Sequence, residues 1–420
     1  MMPKNWKTYK LGDIAGVQTG PFGSQLHKKD YVQNGTPIIT VEHLGANRIT
    51  YQNLPRVSDE DRIRLKKYWI EEGDIVFSRV GSVDRRAYVT KSEDGWLFSG
   101  RCLRVRPKNE FVNGSYLSYY FGQESFKEYI RQIAVGATMP SINTSILSNV
   151  EITIPDSLPE QAAIAAILSS LDDKIELNLQ TNKTLEEMAM TLYKHWFVDF
   201  GPFKDGKFID SELGQIPEGW EVKRLGDFID LNPRLSIKKG TEAPFVEMKV
   251  LPTDAMSVSG AVSKEFKGGA KFQNGDTLYA RITPCLENGK TAFVDFLEDD
   301  EIAFGSTEFL VMRAKKGVSK FWTYCISRDP VFRRFSISTM VGTSGRQRVQ
   351  NDPFLSFDLP KPPDSVFESF SDSVEDWFSK IRINTLENQT LTALRDTLLP
   401  KLISGEVRVK DAEQTLTKII

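Results

Sequence analysis

The longest regular pattern in the chain is a heptad seam. Leu168, Leu171, Ile175, Asn178, Asn182, Leu185, Ala189, Leu192 and Trp196 follow one another at alternating steps of three and four residues. Such a stripe predicts a helix lying along another helix, because an apolar residue about every 3.5 positions keeps one face turned to a partner. The partner is in the same chain. Moving 206 residues on gives Val374, Trp377, Ile381, Asn384, Asn388, Leu391, Arg395, Leu398 and Leu402, with both asparagines in place and Arg395 where Ala189 stood. Asparagine in a seam weakens it but fixes its register. In an antiparallel pair with a pseudo-two-fold axis, the two asparagine pairs face each other.

The repeat extends beyond the helices. Trp6 and LGDI (Leu11 to Ile14) answer Trp220 and LGDF (Leu225 to Phe228). GDIVFSR (Gly73 to Arg79) answers GDTLYAR (Gly275 to Arg281), each reading as a Gly-Asp turn and a strand that ends at an arginine. LRVR (Leu103 to Arg106) and LVMR (Leu310 to Arg313) read as further strands, and helical stretches follow around Tyr116 to Ile130 and Phe321 to Phe335. Pro155 and Pro159 bracket the start of the first long helix, Gly201-Pro202 stops it, and Ser404-Gly405 ends the second. The expected fold is therefore mixed α/β (α+β): two globular domains in tandem repeat, joined by two long helices forming an antiparallel coiled coil. The boundaries fall at 1–157, 158–203, 204–363, 364–405 and a tail, 406–420.

Charge separates these parts. Residues 1–155 hold 21 Lys+Arg against 16 Asp+Glu, and residues 205–363 hold 22 of each. The helical segments are acidic, with 4 against 8 in 156–204 and 7 against 10 in 364–420. The split is compatible with nucleic acid under the globular parts and protein around the helices. Cys102, Cys285 and Cys325 are scattered and odd in number, which fits a reducing cytoplasm. With His27, His43 and His195 they give no metal-ligand spacing. No apolar run suggests a membrane span or a leader.

Catalytic patterns are sparse. Asn232-Pro233-Arg234 and Asp352-Pro353-Phe354 read as turns rather than methyltransferase motifs. Glu247-Met248-Lys249 with Asp230 has the residue types of a metal-dependent nuclease, but its counterpart Glu42-His43-Leu44 lacks the lysine. The loops offer recognition chemistry instead. Arg79, Ser82, Arg85 and Arg86 follow one strand, and Arg281, Thr283, Asn288 and Lys290 follow its equivalent. Thr138, Ser141 and Asn143 sit in one later loop (Gly136 to Ser145), and Ser344, Arg346, Gln347 and Arg348 in the other (Gly342 to Gln350). Arginine and lysine read guanine or hold phosphates, amides read adenine, and hydroxyls serve either. Gly20-Pro21-Phe22-Gly23 and His27-Lys28-Lys29 offer another contact loop or a plain turn.

The W-x4-LGD openings, the GD-x3-[SA]-R strands, LPEQ (Leu158 to Gln161), HWFVDFGPF (His195 to Phe203), QIPEGW (Gln215 to Trp220) and GTSGRQRV (Gly342 to Val349) together resemble the specificity subunit of Type I restriction–modification systems. The resemblance implies a non-catalytic subunit bound to double-stranded DNA with a bipartite site. It implies that each globular unit is a target-recognition domain for one half-site and that the paired helices set the spacer. Two methyltransferase subunits would carry S-adenosylmethionine, and two motor-nuclease subunits would use ATP and Mg. No cofactor is expected on this chain. The competing classes are a self-contained endonuclease or methyltransferase and a bivalent protein-binding scaffold.

Overall fold

The computed structural model describes residues 5–22, 25–258, 260–343 and 345–416. Contacts divide the chain into two compact units, Met1–Asp173 with Leu391–Ile420, and Lys174–Thr390. Each long helix therefore contributes one part to each unit.

In the first unit, a four-stranded antiparallel sheet runs in the order Ala15–Thr19, Cys102–Pro107, Ile75–Ser78, Arg86–Tyr88. The inner strand Ile75–Ser78 is buried on both faces, with Ile75, Val76 and Phe77 fully buried, whereas Cys102–Pro107 alternates apolar residues with Arg104 and Arg106. A second sheet orders Tyr31–Val32, Arg56–Val57, Thr36–Ile39 and Leu97–Phe98, the last two strands running parallel. Trp6–Lys10 pairs with Glu151–Pro155 and brings the chain back to the start of the long helix. The helical stretch is two helices, Gly114–Tyr120 and Glu124–Ile133, the first capped by the Asn113 side chain on the Tyr116 amide.

The second unit repeats the order of the antiparallel sheet, while its mixed sheet is arranged differently, with the parallel pair in the middle rather than at the edge. Ile229–Leu231, Phe309–Ala314, Thr277–Ala280 and Thr291–Phe293 form the antiparallel sheet. The mixed sheet orders Val262–Glu265, Glu242–Val246, Ala303–Gly305 and Ala270–Phe272, again with one parallel pair. Glu221–Arg224 pairs with Asp358–Lys361, and Lys320–Arg328 and Pro330–Ser338 are its two helices. The duplicated motifs thus fold into duplicated sheets.

The central long helix spans Leu158–Tyr193 and the C-terminal one Asp364–Ile403. Gln161 of LPEQ is fully buried at the helix start, where its amide donates to the Pro155 and Phe111 carbonyls and accepts from the Asn113 N–H. The helices run antiparallel. In the first unit Arg395 meets Asp172 at 2.8 Å; in the second Asn178 donates to Asn388 at 2.9 Å and Asn384 to Asn182 at 2.8 Å. The central helix ends in a π-helical turn, Lys194–Val198, after which Phe200 takes a left-handed φ of 52°. The exposed His195 ring lies against Gly201, where a Cβ would come within 1.9 Å of it.

Phe197 stacks on Phe367 and meets Phe370 edge-on, while Trp196, Phe200 and Phe203 pack against the same core. Phe197 of HWFVDFGPF is therefore part of the second unit's core, with Trp196, Phe200 and Phe203 half-buried against it. Beyond Gly405 the expected tail contains a further short helix, Val409–Leu416.

Candidate nucleic-acid interface

Both strand-end arginines fall just past the last residue of an inner strand, Arg79 after Ile75–Ser78 and Arg281 after Thr277–Ala280. Their surroundings differ. Arg79 lies over the Phe22 ring at 4.4 Å and donates from Nη1 to the Gly100 carbonyl at 3.1 Å. Arg281 donates from Nη2 to the Val349 carbonyl, and its buried Nε has no hydrogen-bond partner among the described residues. Its guanidinium lines a cavity of about 550 Å³ together with Asn232, Arg234, Lys271 and Thr307. Three cations and no carboxylate line it, so the local field favours an anion.

Several candidates are anchored inside the fold. Arg86 is 8% exposed and donates from Nε to the Ser118 carbonyl, so most of its side chain is packed within the fold. Thr283 is 9% exposed; its hydroxyl accepts from the Gln347 N–H at 3.1 Å, so this candidate ties two loops together. Arg85 donates to the Leu44 carbonyl, and Lys290 to the Met248 and Lys249 carbonyls at 2.7 and 3.2 Å. Arg348 is held in a two-pronged ion pair by Glu308, with contacts of 2.7 to 2.9 Å, and that carboxylate raises its pKa further. Asn143 caps the helix Thr144–Ser148 through the Ile146 N–H, and the Ser141 hydroxyl donates to the Val135 carbonyl.

Ser82, Thr138, Asn288 and Arg346 are exposed, and Gln347 is half-buried. Ser344 lies outside the described residues. The loops are brought together in pairs. In the first unit Val80 bridges to Ser141, and in the second Ile282 bridges to Arg348. Thus the loop after each strand-end arginine lies against the later Gly-bearing loop of the same unit.

Arg234 and Lys271 were outside the candidate set. Asn232-Pro233-Arg234 is a turn as expected, with Asn232 at φ 52° and its side chain accepting from the Val311 N–H. That turn places Arg234 on the cavity with Arg281; composition carried no signal for this. The nuclease-like triplet resolves differently: Glu247 forms an ion pair with Lys249. Among the described residues no group of three His, Cys, Asp or Glu is gathered as a metal site.

Two homologous modules, each with an arginine at the end of an inner strand beside polar loops, define a bimodular recognition protein. Residues 3–187 match the model of the Type I restriction modification DNA specificity domain. The Type I restriction enzyme MjaIX specificity subunit of Methanocaldococcus jannaschii is 28% identical over 432 residues, covering 98% of this chain and 95% of the relative. The HindI specificity subunit of Haemophilus influenzae is 24% identical, covering 96% and 100%. The crystal structure of a Type I restriction–modification S subunit from M. genitalium shares the fold, with a TM-score of 0.60 at 14% identity over 95% of this chain and 96% of that one. Over nearly its whole length the chain is similar to Type I restriction enzyme specificity subunits.

Proposed function

We propose that each globular part of this chain reads one half of a bipartite DNA target and that the paired helices set the spacer and dock two methyltransferase subunits. The match of residues 3–187 to a DNA specificity domain supports this reading, in which the chemistry of modification and cleavage belongs to other subunits. S-adenosylmethionine is then the methyltransferase's cofactor, and ATP and Mg are those of two motor-nuclease subunits. The complex works in the cytoplasm. Among the described residues no helix is long and apolar enough to cross a membrane.

The observation that carries the reading is Arg281 at its strand end, facing a basic cavity free of carboxylates. A guanidinium there is suited to guanine O6/N7 or to a phosphate, and the two roles separate experimentally. Arg281→Ala, assembled with the methyltransferase, should weaken specific binding by about 1–3 kcal/mol and relax one base position of the second half-site. Methylome sequencing and binding titrations at several salt concentrations measure both. An equal loss on every sequence with a shallower salt slope would make Arg281 a phosphate contact. Unchanged affinity and motif would remove it from the interface.

A further inference from the structure

Each unit buries one arginine between the last strand of its antiparallel sheet and the helix that covers it, but the two are satisfied differently. In the second unit the whole Arg328 guanidinium is used. Nε donates to the Tyr324 hydroxyl at 2.9 Å, Nη1 to the Thr253 and Gly289 carbonyls, and Nη2 to the Ala255 and Thr291 carbonyls. The Glu186 carboxylate lies 3.6 Å away and balances the charge. In the first unit Arg86 is as deeply buried, yet its one hydrogen bond among the described residues is from Nε to the Ser118 carbonyl, at 2.7 Å. Neither terminal nitrogen has a partner among those residues, and no carboxylate stands within ion-pair distance of it.

The open end of Arg86 faces a cavity of about 640 Å³. Gly122 forms part of its wall, and a Cβ there would come 2.2 Å from Arg86 Nη2, so the glycine is what lets the guanidinium lie against the backbone. Four carboxylates also face the cavity, and all are engaged. Asp172 accepts from the Tyr119 hydroxyl at 2.7 Å and from Arg395 at 2.8 Å, and Arg395 also holds Asp396. Asp84 and Glu124 both accept from Arg131, and Lys127 adds a weaker contact to Glu124. Arg85 and Arg86 remain as cations with no carboxylate partner among the described residues. Burial pushes the Arg86 pKa down to about 10, which still leaves it charged at neutral pH. Its terminal nitrogens are not sealed from solvent, so an anion that enters the cavity can reach their free donors.

We propose that this cavity binds a small oxyanion of the phosphate class, held by Arg86 and Arg85 with Lys127 beside them. The planar fork of a guanidinium matches two oxygens of such an anion. A free anion and a DNA phosphodiester offer the same oxygens to these donors, and competition with duplex DNA separates the two sources. Leu399 and Pro400 of the C-terminal helix also line the cavity, so an anion bound there would link that helix to the segment around Gly122.

The test is a titration of the full-length chain, co-purified with its methyltransferase, with inorganic phosphate at constant ionic strength balanced by chloride. Calorimetry should find one saturable site per chain, and the unfolding temperature should rise with phosphate beyond the dissociation constant. Arg86→Gln should weaken phosphate at least tenfold. Lys127→Ala alters the cavity without touching the buried arginines and should weaken it about threefold. If Lys127→Ala binds phosphate as the unaltered chain does, the proposal fails whatever Arg86→Gln does. It fails equally if phosphate acts no differently from chloride, or if specific duplex DNA displaces it, which would give the site to the DNA backbone.

Discussion

Asp276 and its counterpart Asp74 explain why Gly-Asp recurs at the same place in both units. Gly73 and Gly275 take left-handed φ values of 94° and 89°, which an L side chain adopts only with strain. The aspartates then accept the N–H of the residue three positions earlier, Glu71 at 2.8 Å and Gln273 at 2.9 Å. Each also takes a two-pronged ion pair across the sheet, Asp74 from Arg106 and Asp276 from Arg313, all at 2.7 to 2.8 Å. Asp276 is 1% exposed and the Arg313 side chain 25%, so removing the carboxylate strands a mostly buried cation. Asp276→Ala should cost about 2–3 kcal/mol, less than a fully buried pair because Arg313 reaches water. A urea midpoint shifted by less than the error would show that the pair contributes nothing. The turn and the strand were legible from sequence, since glycine, aspartate and alternating apolar residues carry local information. The pairing with Arg313 was not, because it joins positions that only the sheet brings together. The same limit hid the burial of Arg86 and Thr283: a polar residue in a loop looks free until the fold shows what surrounds it.

At the scale of the elements, the two long helices are where sequence reasoning reached furthest, because a heptad seam encodes its own contacts. The asparagines face one another as the antiparallel register requires, and their amides are further shared with Glu387 and with the Ile175 and Ile381 carbonyls. Arg395, the break in the repeat, has its reason in Asp172, a buried acid on the central helix that sequence alone did not connect to it. Asn384 is fully buried, so its partner matters. Asn182→Leu or Asn384→Leu alone should lose about 1–3 kcal/mol by leaving one amide unsatisfied. The double Leu variant should recover most of that loss or exceed the parent, while admitting slipped or intermolecular pairings. Thermal unfolding of all four members of the cycle, with light scattering for association, measures it. Additive losses would mean that the two side chains do not act as a pair.

For the whole molecule, the proposed ruler is a statement about helix length, and the division into compact units indicates how to test it. The unit boundary crosses the central helix between Asp173 and Lys174 and the C-terminal helix between Thr390 and Leu391. An insertion in one helix alone would pull Asp172 away from Arg395 or Asn178 away from Asn388, so its failure would report damage rather than spacing. Four residues inserted in both helices, after Asp173 and after Thr390, leave those pairs intact within their own units. Four residues add about 6 Å and nearly one full turn, which approximately preserves the face each helix presents. Against a rise of about 3.4 Å per base pair, the non-specific spacer of the methylated motif should lengthen by one or two base pairs. Both half-sites should stay unchanged, since no residue of either globular part is touched. Sequencing of methylated DNA from cells carrying the double insertion reads the outcome. An active variant that keeps the parental spacer would show that helix length does not determine it, and altered half-sites would show that the recognition modules do not act independently of the helices.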